Sequence, residues 1–188
     1  VMEVFGIAKD ISKRKDMEIE LLESEERYRS LFEDNIDAVV TYALEGNFLH
    51  LNKATEDLMG YSAEELIGKP FLPIIVPEYQ QFTLKQFSKV LNGHSIRYET
   101  AMYNRKQEVV HLHITVMPLI IGGEMKGIHC IGKDITNRKN MERSLKKVAY
   151  QDHLTHLPNQ RAMMEDFERL LEDEARIGVL VLDLDRFK

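Results

Sequence analysis

The residues of this chain that are best suited to chemistry are two carboxylates near its C-terminal end. An apolar run leads into Asp183, Leu184 and Asp185, and Lys188 follows shortly after them. The run is typical of a buried strand over residues 177–183, and an α/β sheet usually places its ligand site where such strands end. On residue type alone, however, two acids in this position are more often solvated loop residues than ligands. The pattern therefore indicates a candidate site that needs support from the rest of the sequence.

Four histidines occur as two pairs with spacings that metal sites also use. His111 and His113 alternate on a predicted strand, so their side chains share one face and could bind a metal together with a third ligand. The absence of a nearby carboxylate pair favours a solvated or helix-covered outer face of a sheet instead. His153 and His156 lack the Glu of a zinc-binding helix motif, and Pro158 indicates a turn there. Neither pair is predicted to form a metal site.

Composition excludes several classes of protein. The chain has 188 residues, a formal net charge of -6 and a single cysteine, Cys130. The acidic balance argues against a nucleic-acid partner. One cysteine excludes an internal disulfide framework and fits a reducing compartment. No apolar run approaches the roughly 18 to 20 residues that a membrane span needs. We therefore expect this segment to be cytoplasmic and to have no membrane segment of its own, with any membrane anchor elsewhere in the full-length protein.

An internal repeat organises the sequence. Residues 7–18 return as residues 131–142, and both copies pass a Lys-Asp-Ile-(Ser/Thr) step before a helical pattern. Ser12 and Thr136 are suited to cap the two helices at their N-terminal ends. One repeating unit is therefore a domain together with its connecting helix.

Both predicted connecting helices carry a row of residues at alternating spacings of four and three. The two rows are Met17, Leu21, Ser24, Tyr28 and Leu31, and Met141, Leu145 and Val148. This spacing is typical of a coiled-coil seam, which would join two copies of the chain as a homodimer. A single helix that lays an amphipathic face on its own domain has the same spacing. Both interpretations stay open at the level of the sequence.

Between the two copies of the repeat, periodicity and turn residues predict one complete domain. Strands are predicted at 38–43, 48–51, 95–103, 108–121 and 125–135, and helices at 52–59, 62–67 and 77–91. Ser62 and Glu65 form a capping box at the start of the second helix, and Pro77 suits the first turn of the third. This order predicts an α+β fold with a five-stranded antiparallel sheet and helices gathered on one face.

Three stretches of this predicted domain carry a family resemblance. Residues 49–54 read LHLNKA, residues 58–69 read LMGYSAEELIGK, and the domain closes on the sequence KDIT at residues 133–136. Over residues 25–136 the chain resembles the PAS family of sensor domains. The resemblance implies the PAS fold, with an apolar cavity between sheet and helices that suits a ligand.

The resemblance also implies a division of the chain into parts. Residues 1–12 are similar to the tail of a preceding PAS domain, and residues 13–34 become a connecting helix. Residues 137–151 become a signalling helix. Asp134, Ile135 and Thr136 are then expected to relay the signal from the domain into that helix.

The sequence lacks the residues with which flavin-binding and haem-binding PAS domains hold their cofactors. The photoreceptor branch of the PAS family uses a cysteine just after the region of Gly68, where this chain has lysine, proline and phenylalanine. Haem-binding members supply an axial histidine from the long helix, and residues 77–91 contain none. Cys130 is expected to be a small buried hydrophobe on the last strand. The PAS cofactor is therefore unknown, with neither haem nor a flavin adduct expected, and an empty cavity or a small metabolite stays open.

A second resemblance begins after the signalling helix. Residues 152–161 read DHLTHLPNQR, which resembles the opening motif of GGDEF-type diguanylate cyclases with Gln160 inserted before the arginine. Residues 159–172 then have the pattern of an amphipathic helix. Enzymes of this family join two GTP molecules by attack of a 3'-hydroxyl on an α-phosphate, and divalent metal held on carboxylates neutralises the charge that develops.

This second resemblance gives the C-terminal carboxylates a role. It implies that Asp183 binds Mg²⁺ through its side chain and Leu184 through its backbone carbonyl, with Asp185 a weaker candidate, and that Lys188 meets a substrate phosphate. The turn that names the family would lie beyond residue 188. We therefore expect residues 152–188 to be a truncated α/β fragment that does not catalyse the reaction by itself.

Two functions follow as expectations. The first is a PAS sensor that regulates a diguanylate cyclase, in which ligand binding reorients the signalling helix of a homodimer and pairs two GTP-loaded cyclase domains. The second is a PAS ligand-binding and dimerisation module that relays to a degenerate GGDEF domain or to a phosphodiesterase further along the protein. A histidine kinase is disfavoured, because no histidine phosphorylation motif follows the relay helix.

Overall fold

The structure, a computed structural model, describes residues 12–152, 154–172 and 178. The chain divides into two compact units, Val1–Thr136 and Asn137–Lys188. The elements are α1 (Ser12–Glu33), β1 (Ala38–Tyr42), β2 (Phe48–Leu51), α2 (Lys53–Met59), α3 (Ala63–Leu66), a 3₁₀ turn (Leu72–Ile74), α4 (Pro77–Leu91), β3 (Ile96–Tyr103), β4 (Val109–Ile121), β5 (Glu124–Asp134), α5 (Thr136–Tyr150) and α6 (Gln160–Glu172). The strand predicted over 177–183 lies, apart from Gly178, outside the described residues.

The five strands form one antiparallel sheet in the order β2-β1-β5-β4-β3. Strand β1 lies inside the sheet, because Val40 pairs with Leu51 of β2 on one side and with Cys130 of β5 on the other. Strands β3, β4 and β5 follow one another as a meander. The predicted α+β class with a five-stranded antiparallel sheet is therefore confirmed.

Local sequence explains where the short helices begin and end. The Asn52 side chain accepts a hydrogen bond from the Thr55 amide and so caps α2, which ends at Gly60 in the left-handed conformation (φ 74°). The Ser62 amide donates to the Glu65 carboxylate over 3.0 Å, which completes the predicted capping box of α3. These caps satisfy amides that the first turn of a helix leaves without an intrahelical partner.

One glycine is required by the turn between the first two strands. Gly46 has φ 89°, and a β-carbon there would come within 2.9 Å of the Phe71 ring. Any side chain would therefore meet both an unfavourable backbone conformation and a buried aromatic ring. The β1-β2 hairpin can close on the segment before α4 only because this position carries hydrogen.

The core lies between the sheet and the helices. Phe48 of β2, Val90 of α4 and Ile128 of β5 are at most 1% exposed. Each is a large apolar side chain, and burial of such a side chain stabilises a fold by about 1.5 to 3 kcal/mol. The core thus packs an edge strand and a central strand of the sheet against the long helix.

In the second unit, Asp152 and residues 154–159 form the turn between α5 and α6. The Asp152 carboxylate accepts from the Thr155 amide over 2.9 Å and from its hydroxyl over 2.8 Å. Asn159 caps α6 by accepting from the Ala162 amide over 3.0 Å, and it donates to the Ala149 carbonyl over 2.9 Å. The turn predicted between the helices is confirmed. The motif residues that suggested the cyclase family are here the residues that build this turn.

Candidate functional site

An apolar cavity lies inside the PAS-like unit. Its volume is about 70 Å³, and every strand except β2, together with α2, the segment before α4 and α4 itself, contributes to the wall. An engineered apolar cavity of about 150 Å³ accepts one benzene molecule. In this conformation the cavity therefore suits a molecule of a few non-hydrogen atoms.

None of the described residues that line the cavity carries a charged side chain. The polar groups in the wall are the hydroxyls of Tyr42, Thr55, Thr83, Tyr98 and Thr100 and the thiol of Cys130. A charged ligand would lose its hydration there without gaining an opposite charge. The lining therefore favours an uncharged molecule.

Two tyrosines supply hydrogen-bonding groups to this cavity. Burial raises the pKa of the Tyr42 hydroxyl well above its usual range, and burial likewise raises the pKa of Tyr98. Both phenols are therefore protonated near neutral pH. Tyr98 bonds to Thr83, whereas the Tyr42 hydroxyl has no hydrogen-bond partner among the described residues. Tyr42 is thus available as a donor to a ligand.

Cys130 is a wall residue and has the properties of a buried hydrophobe. It lies on β5 and is buried, and burial raises the pKa of its thiol to about 12. Such a thiol is a poor nucleophile near neutral pH, because the thiolate is the reactive form. The prediction of a small buried hydrophobe at this position is confirmed.

Aromatic rings close the wall beside Tyr42. The Tyr42 ring lies 5.0 Å from that of Phe48 and 5.3 Å from that of Phe71, and Phe71 lies 5.2 Å from Phe87 of α4. These centroid distances and tilted planes are those that aromatic pairs prefer. The cluster connects the hairpin, the segment before α4 and α4, so a ligand near Tyr42 would touch all three.

The predicted relay residues form a compact junction at the end of β5, which we call the output junction (Asp134, Ile135 and Thr136). The Thr136 amide donates to the Asp134 carboxylate over 2.7 Å, and the Thr136 hydroxyl accepts from the His111 amide over 2.9 Å. The Ile135 amide donates to the His111 carbonyl over 2.9 Å, and the Ile135 side chain is buried. The junction therefore fixes the start of α5 to β4, next to the cavity-lining Leu112.

A second junction lies where α1 ends, and sequence reasoning missed it. Asn52 is fully buried, and its side chain reaches the backbone between Phe32 and Asp37 as well as capping α2. The sequence indicated Asn52 only as a helix start and as part of a family motif. Its contact with α1 depends on the chain folding back, and no local signal reveals it.

The apolar rows of the connecting helices are exposed in the chain as described. In α1, Met17, Leu21 and Tyr28 are 54%, 60% and 59% exposed. In α5, Leu145 and Val148 are 70% and 81% exposed. For α1, the alternative interpretation, in which the helix covers its row with its own domain, therefore receives no support from these side chains.

His111 and His113 do not form a metal site with other described residues. His111 is buried rather than solvated, because the chain turns back over it at Ile135 and Thr136, and His113 is half-buried. His153 lies outside the described residues. Within 12–152 and 154–172, no group of three or more His, Cys, Asp or Glu side chains is arranged to hold a metal ion.

The residues predicted for the cyclase site cannot be placed. Asp183, Leu184, Asp185 and Lys188 all lie outside the described residues. In the part of the chain that is described, no helix is both long and apolar enough to pass through a bilayer.

Comparison with known families matches this architecture. Residues 26–135 match the family described as the PAS fold, and residues 149–188 match the family described as the diguanylate cyclase GGDEF domain. A PAS domain is thus followed by a GGDEF fragment, as the two sequence motifs predicted.

Several curated proteins match the chain over most of its length. The chain is 27% identical over 176 residues to signaling protein YkoW of Bacillus subtilis, covering 88% of this chain and 20% of that protein. It is 24% identical over 196 residues to the probable diguanylate cyclase DgcE of Escherichia coli (100% and 18% covered). It is 25% identical over 156 residues to the cyclic di-GMP phosphodiesterase PdeR of Escherichia coli (80% and 24% covered). The chain therefore spans about a fifth of the length of these relatives.

Solved structures share the fold of the first unit. A PAS domain from Colwellia psychrerythraea is 28% identical with a TM-score of 0.56, and the match covers 63% of this chain and 99% of that one. A PAS domain of an HTR-like protein from Haloarcula marismortui is 19% identical with a TM-score of 0.56, covering 64% and 99%. The second likeness supports the fold alone.

Proposed function

The chain belongs to the PAS family, and on this premise we propose that it is the sensory and dimerising part of a longer protein whose GGDEF domain makes cyclic di-GMP from two GTP. The observation that carries the proposal is the order of parts: a domain with an internal cavity, a junction that fixes a helix, and then a GGDEF sequence. In this arrangement, occupancy of the cavity changes how α5 leaves the PAS domain and so alters the cyclase.

The proposed ligand is a small uncharged molecule with one hydrogen-bonding group, neither haem nor a covalent flavin. The uncharged wall, the volume of about 70 Å³ and the available Tyr42 hydroxyl support this class. Among the described residues of the wall, no histidine is present to ligate haem iron, and the cysteine is Cys130 on β5 rather than one after Gly68 that could bond to a flavin.

A matched pair of small probes tests the ligand class. Propionamide and propionate have the same size, but only the second carries a charge. We expect propionamide to shift the amide resonances of cavity residues such as Val40 and Ile114, and the Tyr42→Phe variant to weaken that effect. Stronger binding of propionate would overturn the proposed class.

Dimerisation is the second part of the proposal. The exposed rows on α1 and α5 present the four-three spacing with which two copies of a helix pack in a coiled coil. Two copies would bring two cyclase domains together, as a reaction of two GTP molecules requires. Sedimentation of the 188-residue chain should give a dimer, and Leu145→Asp should weaken it.

The cyclase residues remain part of the proposal. Asp183 and the Leu184 carbonyl would hold Mg²⁺, with Asp185 a weaker ligand, and Lys188 would meet a phosphate. Carboxylate and carbonyl oxygens are donors that Mg²⁺ accepts, so these residue types fit the metal. The division into a preceding PAS tail at 1–12, helices at 13–34 and 137–151, and the domains at 25–136 and 152–188 is proposed on the same resemblance.

The activity is tested with the full-length protein. Incubation with GTP and Mg²⁺ should yield cyclic di-GMP, measured by liquid chromatography, and Asp183→Ala should abolish the product while leaving the PAS domain folded. A folded, dimeric protein that forms no cyclic di-GMP would overturn the cyclase proposal.

A second candidate is a PAS module that relays to a degenerate GGDEF domain or to a downstream phosphodiesterase. The similarity to the phosphodiesterase PdeR over 80% of this chain favours it. In that case the full-length protein should hydrolyse cyclic di-GMP, or bind GTP without turning it over.

A further inference from the structure

Asn52 makes more hydrogen bonds than a helix cap requires. It is fully buried. Its amide nitrogen lies within 3.0 Å of the Phe32 carbonyl, 3.1 Å of the Asp37 carbonyl and 3.3 Å of the Asn35 carbonyl. A cap needs only the side-chain oxygen, so the amide side of Asn52 has a separate role.

The three carbonyls mark the place where α1 becomes the PAS domain. Phe32 belongs to the last turn of α1, whose final carbonyls have no amide further along the helix to accept from. Asn35 and Asp37 carry the chain into β1. Asn52 therefore holds the C-terminal end of α1 and the start of β1 with one side chain.

The oxygen of Asn52 faces the opposite way, toward the cavity wall. It accepts from the Val39 amide over 2.9 Å, from the Thr55 amide over 3.0 Å and from the Thr55 hydroxyl over 2.7 Å. Thr55 lines the cavity, as do Ala38 and Val40 on either side of Val39. The same oxygen therefore bonds to two segments of the wall.

These contacts fix the orientation of the amide. Three acceptors surround its nitrogen and two donor residues surround its oxygen, so a flipped side chain would put oxygen against carbonyl oxygens. Since the group is buried and fully bonded, α1 cannot shift at Phe32 without moving Asn52, and Asn52 cannot move without moving Thr55 or β1.

We propose that Asn52 is the positioning residue that couples the cavity wall to the C-terminal end of α1, so that a change at Thr55 or β1 alters the position of that helix. The coupling makes α1 responsive to the same ligand as α5, or lets a domain before α1 act on the cavity. It rests on the proposed sensor function, because the cavity is where the ligand acts.

The coupling is measured as the position of α1 relative to α4 in the ligand-free 188-residue protein. Nitroxide labels on Glu26→Cys and Lys85→Cys occupy exposed sites, and the native Cys130 is buried and stays unlabelled. Labelled protein is diluted into unlabelled protein, so that the distances measured by pulsed EPR lie within one chain.

Four substitutions distinguish a specific effect on the position of α1 from a general destabilisation of the domain. Asn52→Asp keeps the acceptor but removes both amide hydrogens, and Thr55→Val removes the hydroxyl that bonds to Asn52. Thr55→Ser restores that hydroxyl. Asn92→Asp is the matched control, because Asn92 also donates to a helix carbonyl, that of Ser88 over 3.0 Å, but is exposed and away from the cavity.

We expect the distance distribution to become about twofold broader or to shift for Asn52→Asp, with a smaller change for Thr55→Val. Thr55→Ser and Asn92→Asp should match the wild type. If Asn52→Asp does not fold, the comparison of Thr55→Val with Thr55→Ser tests the coupling by itself. Equal distributions for Thr55→Val and the wild type, or equal broadening in Thr55→Ser and Thr55→Val, would overturn the coupling. Neither result depends on GTP or on a ligand, so failure here leaves the sensor proposal standing.

Discussion

The two junctions of the PAS domain differ in the burial of the groups that form their hydrogen bonds. The input junction, which we define as Asn52 with the α1 end at Phe32, relies on one fully buried side chain with bonds to both helix and wall. The output junction has a buried apolar anchor, Ile135, but its hydrogen bonds involve the His111 backbone, a half-exposed Thr136 and an exposed Asp134. The hydrogen bonds of the first junction should therefore resist displacement, and those of the second should exchange at lower cost.

This difference indicates a stiff connection between the cavity wall and α1 and a more easily displaced connection between the domain and α5. A buried, fully bonded amide loses several partners at once when it moves, whereas an exposed carboxylate or hydroxyl can exchange its partner for water. A ligand of a few atoms supplies little binding energy. It would therefore act more readily on the output junction than on the input junction.

Removal of Asn52 should have the largest effect. Asn52→Ala leaves the Val39 amide and the Phe32 and Asp37 carbonyls without their partner, and we expect a loss of about 3 kcal/mol in the free energy of unfolding. Urea denaturation measures it, and Asn92→Ala serves as the control with a loss below about 1 kcal/mol. Equal losses of unfolding free energy in Asn52→Ala and Asn92→Ala would contradict the expected difference between a buried and an exposed amide.

Truncation of Ile135 should have the next largest effect, because this side chain is the buried anchor of the output junction. It is 7% exposed, and Ile135→Ala should cost about 2 kcal/mol or more through lost burial and a residual cavity. The same urea experiment applies. A cost larger than that of Asn52→Ala would reverse the order of the two junctions.

Loss of the Thr136 hydroxyl should have a smaller effect. Thr136→Ala removes the acceptor of the His111 amide, and we expect a loss of about 1 kcal/mol with Thr136→Ser close to the wild type. Faster hydrogen exchange at the His111 amide should accompany it. If serine does not restore protection, the hydroxyl is not what holds this junction.

Alkaline pH should weaken the cavity wall that both junctions share. Burial raises the pKa of the Cys130 thiol from its ordinary 9.0 to about 12, so the folded chain resists deprotonation. Stability is then full below about pH 9 and falls as pH rises toward 12. The raised pKa values of Tyr42 and Tyr98 act in the same direction.

The Cys130→Ala variant measures how much of the loss of stability at alkaline pH is due to the cysteine. Its urea midpoint should fall less steeply between pH 9 and pH 11 than that of the wild type. Identical slopes of urea midpoint against pH in the two proteins would mean that burial in the wall does not raise the pKa of this thiol.

Local patterns predicted the elements well, because caps and turns act over a few residues. Ser62 with Glu65, Pro77 and the relay sequence at Asp134 all lie where the sequence placed them. The short 3₁₀ turn Leu72–Ile74 was missed, since three residues give no period to detect. His111 was expected on a solvated or helix-covered face, and it is buried beside the Ile135–Thr136 step where α5 begins.

Long-range features were beyond the sequence for a physical reason. The pairing of β1 with β5 joins Val40 to Cys130 across most of the domain, and nothing in either strand specifies its partner. The family resemblance implied a cavity, but its uncharged wall and the free Tyr42 hydroxyl depend on how four strands and three helical segments converge. The contacts of Asn52 with Phe32 depend on the same convergence.

The rate of cyclic di-GMP formation by the full-length protein tests the central claim most directly. The wild type, Thr136→Ala and Thr136→Ser are each incubated with GTP and Mg²⁺, and their rates are compared. If the PAS domain regulates the cyclase through the output junction, the alanine variant should change the rate by about fivefold or more while serine stays near the wild type. Product formed at one rate by all three proteins would contradict regulation through this junction. The absence of product from all three folded proteins would contradict the cyclase itself.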